Sequence, residues 1–256
     1  MFLRRSSLVP YILMIAIAAG GSLPGVAVRA QDRDTQDMET ALRLASLLRS
    51  ARSVIAASQD LINDAKAGDK GLTGDHVLAL ATEAYLKANG TAPLYDGQDA
   101  TEAQLIAAQM EAIRKVMTEN QPTIDAEGVG FKGFVPAVFG RLVNESFAAL
   151  VGTEARVKVT APRDLVRNRK ALPDAWETRV IERNLMSADW PRGQIYAELG
   201  ELDGKPAYRV LVPEYYSKGC LSCHGEPAGE IDITGYPKEG GREGDLGGVI
   251  SISIFR

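Results

Sequence analysis

The spacing of apolar residues changes period once along this chain, near residue 152, and that change limits the folds open to it. Upstream, apolar positions recur every three or four residues, as the buried face of an amphipathic helix requires. Leu44, Leu47, Leu48, Ala51, Val54, Ile55 and Ile62 make the first such face. Residues 63–74, rich in Gly, Asp and Lys, read as a loop. Asp75 then reads as the N-cap of a second helix through Ala88, ended by Asn89-Gly90. Thr101 reads as the cap of a third over 101–119, with Leu105, Ile106, Met110, Ile113, Val116 and Met117 on its apolar face. Pro136 suits the first turn of a fourth, which continues through Phe139, Leu142, Val143 and Phe147 to Gly152.

Downstream the period falls to two. Residues 155–161, ARVKVTA, alternate like a strand, and Pro173-Asp174 opens a short helix to about Met186. Residues 194–199 and 207–212 flank Asp203-Gly204 as a hairpin. Residues 248–255, GVISISIF, read as a strand half-buried in a sheet. Helices followed by strands give an α+β fold: long N-terminal helices packed with an antiparallel sheet.

Only two cysteines occur, three residues apart, in Cys220-Leu221-Ser222-Cys223-His224. A disulfide closing so small a loop constrains little of the unfolded chain, so stability does not explain the pair. The spacing is that of c-type haem attachment. Two thiols separated by two residues reach the two vinyl groups on one edge of a porphyrin, and the following imidazole falls beneath the ring as an axial iron ligand. Gly219 and Gly225 let the backbone pass close to the macrocycle. Two alternatives stand beside haem c. A Cys₂His₂ zinc site requires His76 as its fourth ligand. A thioredoxin-type redox pair requires the motif to open a helix, whereas Gly225, Pro227 and Gly229 read as a loop.

The N-terminus reads as a secretory signal over residues 1–30. Arg4 and Arg5 precede an apolar stretch over 8–19, and Val28-Arg29-Ala30 places cleavage before Gln31. That stretch is shorter than the ~20 residues of a membrane span, so no stable membrane insertion is expected. An oxidising or periplasmic location also suits covalent haem attachment. Cleavage moves the formal charge from −4 to about −7, which argues against nucleic acid as a partner. Residues 31–40 read as a flexible lead-in to one domain over 41–256. Its helical part covers 41–152, and its sheet and haem-attachment part covers 153–256.

The sixth iron position has no obvious occupant. Only 32 residues follow His224, and none is Met or His. This excludes the plan of small electron-carrier cytochromes, with an early motif and a late methionine. The candidates upstream are His76, Met110, Met117 and Met186. Met110 and Met117 also suit a helix core, and His76 a solvated loop. Arg209 is the preferred partner for a haem propionate, with Tyr208, Tyr215, Tyr216 and Trp190 as further groups at the haem edge.

Several stretches, taken in order, resemble the Tll0287-like c-type haem family. They are Leu61-Ile62-Asn63-Asp64 with Lys70-Gly71, FKGFVPAVFGRLVNESF over 131–147, and Arg167-Asn168 with PDAWE over 173–177. GCLSCHGEP over 219–227 and GDLGG over 244–248 complete the set. The resemblance runs from about residue 42 to the end. It implies a PAS-like sheet, long N-terminal helices and one haem c. Domains of this family also occur as sensor modules of signalling proteins. No transmitter follows here, so a free-standing haem protein is expected. The roles open are redox or small-ligand sensing (a gaseous ligand included), electron transfer to an unidentified partner, peroxidase-type catalysis with His76 or Arg209 over an open site, and, last, a purely structural or partner-binding PAS-like module.

Overall fold

In the computed structural model, which describes residues 24–256, the change of period near residue 152 coincides with the end of the helical layer. The expected apolar leader stretch over 8–19 lies outside the described residues. Among those residues, no helix is long and apolar enough to cross a membrane.

The first helix, α1 (Pro24–Ala57), is continuous through 31–40, where a flexible lead-in was expected. The polar residues there have buried work to do. Asp34 and Asp37 pair with Arg256, the last residue of the chain, at 2.7 and 2.6 Å. Asp37 and Thr40 are buried. The apolar run expected to reach Ile62 breaks at Ser58, and a single turn, α2 (Gln59–Ile62), follows.

The third helix, α3 (Gly74–Asn89), is capped by Thr73 and not by Asp75; the Thr73 side chain accepts from the His76 amide. Gly74 packs so closely on the next helix that a Cβ there would lie 2.5 Å from the Arg114 carbonyl oxygen. Asp75 instead pairs with Arg114 at 2.7 Å. The fourth helix, α4 (Ala100–Ile124), is capped by Asp99, which accepts from the Thr101 and Glu102 amides. It outruns its expected end at residue 119. The last long helix, α5 (Pro136–Val151), carries Pro136 in its first turn, as expected.

The sheet has four antiparallel strands in the order β1-β4-β3-β2: β1 (Ala155–Thr160), β2 (Tyr196–Leu202), β3 (Lys205–Tyr215) and β4 (Leu246–Phe255). Asp203 and Gly204 both have positive φ, so the β2–β3 connection is a two-residue turn whose twist matches the strands. Tyr208, Val210, Val212, Ile250, Ile252 and Ile254 share one core with Leu44, Leu48, Ile113, Phe139 and Phe147. Each such side chain, fully buried, contributes about 1.5–3 kcal/mol. Strand β4 was expected to be half-buried, but residues 249–254 are buried on both faces, Ser251 and Ser253 included. The second face carries Leu211 and Val249 against Val180, Ile181 and Leu185, from helix α6 (Ala175–Val180) and the π-turn after it.

Candidate functional site

Strand β3 ends at a register shift between Glu214 and Tyr215, and the chain leaves the sheet at Tyr216. It returns at β4, and the two ends of the excursion are tied. The Tyr216 amide donates to the Asp245 carbonyl at 2.9 Å, and the Gly244 amide to the Tyr216 carbonyl at 2.8 Å. Within this long loop lie a 3₁₀ turn (Lys218–Cys220) and a single helical turn, α7 (Leu221–His224). Residues three apart on a helical turn share a side, so this local geometry presents Cys220 and Cys223 together, with His224 next in the chain. Both thiols are unbridged and partly exposed.

The imidazole of His224 is held on two sides. Its ring stacks on Tyr216, with centroids 5.1 Å apart and planes 17° from parallel. Its Nδ1 lies 2.8 Å from Glu239 Oε2. Since a carboxylate only accepts, the neutral tautomer that fits this contact has its proton on Nδ1 and its lone pair on Nε2. Burial, and then the nearby Glu239 carboxylate, push the Tyr216 hydroxyl up to about 12.

Arg167 organises the remainder of the loop. It donates through Nε to Glu239 Oε1 at 2.7 Å, through Nη1 to Asp232 Oδ2 at 2.6 Å, and through Nη2 to the Cys223 carbonyl at 2.8 Å. Burial raises the Asp232 carboxyl, but hydrogen bonds from Thr234 and Arg167 outweigh it and hold the group well below the usual range. Burial likewise raises Glu239, and bonds from Arg167 and His224 reverse the shift.

The remaining candidates stand apart from this turn. Arg209 is 2% exposed. It donates to Asp174 at 2.6 Å and lies over the Trp176 ring at 4.1 Å. It sits six residues before Tyr215 on β3, roughly 20 Å along a strand at ~3.3 Å per residue. The expected propionate partner is therefore committed to the α6 cap of the sheet. His76 is exposed in the first turn of α3, whose packing partners are α1 and α4. Met117 is fully buried in the helical core, Met110 packs against the same core, and Met186 is exposed after the π-turn. Tyr208 also belongs to that core, Tyr215 lies under Arg192, and Trp190 packs on Tyr196. Of the aromatic candidates, Tyr216 is the one in contact with the motif. Sequence reasoning did not single out Glu239 or Asp232. The one trace of Arg167 was the Arg167-Asn168 pair within the family resemblance.

The donor set discriminates among the chemistries considered. The helical turn stops at Gly225, so the longer helix of a thioredoxin-type pair does not form. A zinc site would need His76 beside His224, and among the described residues no group of three or more His, Cys, Asp or Glu side chains converges as a metal site. Two unbridged thiols on one turn, followed by an imidazole with its Nε2 lone pair available, fit a haem c.

Fold and site together define an α+β protein with a cysteine-cysteine-histidine turn held where the chain crosses from β3 to β4. A family model described as Tll0287-like matches residues 95–254, and the chain belongs to that family. Membership suggests a c-type haem protein. The match starts in the loop before α4, later than the resemblance from about residue 42. No curated protein and no solved structure matches the chain.

Proposed function

We propose that this chain is an exported mono-haem c protein that senses redox state or a small ligand at its iron. The observation that carries the reading is the α7 turn itself: two unbridged thiols and an imidazole whose Nδ1 is already engaged by Glu239. Cys220 and Cys223 would hold the haem through thioether bonds, each S–H adding across one vinyl group, and His224 Nε2 would be available to its iron. When bound, the haem supplies a one-electron couple and a coordination position for a small ligand. Export agrees with the leader read over residues 1–30 and with the site of haem attachment outside the cytoplasm.

An open or weakly held sixth position is supported by where the protein puts its other donors. Met110 and Met117 face the helical core, and His76 is exposed on α3. The peroxidase-type alternative asks for an acid or base over the iron, and Arg209 is paired with Asp174 instead.

Absorption spectra of the reduced protein, with and without carbon monoxide, test the role. We expect carbon monoxide to bind and shift the Soret band. A haem c protein whose reduced spectrum ignores carbon monoxide would have two strong protein ligands, which replaces ligand sensing with electron transfer or redox sensing.

A further inference from the structure

The proximal side of the site is more elaborate than a haem-binding turn requires. Between residues 225 and 241 the chain doubles back on itself. The Gly229 amide donates to the Lys238 carbonyl and the Lys238 amide to the Glu230 carbonyl, both at 2.8 Å. The Gly241 amide then donates to the His224 carbonyl at 2.7 Å, and the Gly240 amide to the Gly225 carbonyl at 3.2 Å. This ribbon delivers the Glu239 side chain to the Nδ1 edge of His224. A backbone carbonyl or a water would satisfy that nitrogen equally well as a hydrogen-bond acceptor. A carboxylate does more, because a charged acceptor roughly doubles the strength of the bond and draws the Nδ1 proton toward itself.

We infer that Glu239 is a positioning residue that fixes the tautomer of His224, strengthens it as an iron donor and lowers the reduction potential, with Arg167 moderating the effect. The inference rests on the reading of His224 as the axial ligand. A more electron-rich imidazole favours ferric over ferrous iron, so the bond to Glu239 stabilises the oxidised state. Arg167 works in the opposite sense. Its guanidinium takes Glu239 Oε1 at 2.7 Å and Oε2 at 3.1 Å, drawing charge from the same carboxylate that His224 uses. The same guanidinium bonds the Cys223 carbonyl, so the attachment turn and the tuning group share one anchor. Tyr216, stacked on the ring, keeps the imidazole plane in line with Glu239.

The test compares wild type with Glu239→Gln, Glu239→Asp and Arg167→Lys as haem-loaded proteins. Haem content is read by pyridine haemochrome, and midpoint potential by spectroelectrochemical titration. Gln accepts from Nδ1 without the charge, so Glu239→Gln moves the potential in the positive direction at equal haem content. The iron–histidine stretching frequency of the reduced protein falls with it. Arg167→Lys, which contacts the carboxylate at fewer points, moves the potential the other way. Should Glu239→Gln take up no haem, Glu239→Asp carries the test, because its shorter side chain lengthens the contact and shifts the potential positively. A haem-loaded Glu239 variant with unmoved potential overturns the inference. A wild-type protein without haem c overturns the underlying reading instead, so the two failures are distinguishable.

Discussion

Tyr216 is wedged between two glycines before it meets His224. A Cβ at Gly241 would lie 2.6 Å from the Tyr216 ring, and one at Gly247 would collide with ring carbons on its other edge. Neither glycine is there for turn geometry. Each removes a side chain so that the ring can lie parallel to the imidazole. Gly247→Ala must therefore displace the ring, at a cost of about 1–3 kcal/mol for overpacking, and unseat the histidine it supports. We expect a lower urea midpoint and reduced haem content. Gly248→Ala is the control, since its Cβ would stand 3.4 Å from the Thr160 carbonyl oxygen; its stability should stay within about 1 kcal/mol of wild type. Haem retention in Gly247→Ala at the wild-type level would show that the stack does not hold His224.

Between elements, the joint of α1 with β3 is sensitive to pH. Glu214, at the end of β3, accepts from Arg49 Nε at 2.7 Å and from Arg52. Burial raises its carboxyl, and the Arg52 and Arg49 charges overturn that shift, leaving it below the ordinary range. A carboxyl depressed in the folded state stabilises the fold above its unfolded value of ~4.3. That contribution is lost as pH falls through the folded-state value. Glu214→Gln should cost about 1–2 kcal/mol at neutral pH, a figure discounted for the partial exposure of both arginines. The gap from wild type should close as the wild-type carboxyl protonates. Urea melts of both proteins across acidic pH check this, and a gap that persists at the lowest pH would assign the effect to packing.

Elements were legible where one short stretch of sequence settles them. Pro136 opens α5, Asp203-Gly204 turns the β2–β3 hairpin, and the alternation over 248–255 gives β4. The caps were misplaced by two residues at both α3 and α4. Thr73 and Asp75, or Asp99 and Thr101, are all favoured capping types, so residue type alone does not choose between them. The polar run over 31–40 reads as a lead-in for a related reason. Its helix is held by Asp34 and Asp37 on Arg256, a partner at the far end of the chain that no local pattern reveals.

Across the whole molecule, one apolar core joins the helical layer to one face of the sheet, and the site hangs from the edge of that core where β3 gives way to the loop. That Cys220, Cys223 and His224 come together on one short turn was legible because the motif is contiguous. Arg167 and Glu239 were not, because they meet across 72 residues and Glu239 sits in a loop with no periodicity. Arg209 stands apart from the turn for the converse reason: nearness in sequence to the motif is distance along a rigid strand. The central claim is that the α7 turn carries one covalent haem. The most direct measurement is the intact mass, under denaturing conditions, of protein exported by cells that assemble cytochromes c, beside its Cys220→Ala/Cys223→Ala variant. The account predicts a mass raised by one haem in the wild type, a c-type pyridine haemochrome, and neither in the variant. A wild-type mass equal to that of the bare polypeptide would contradict it.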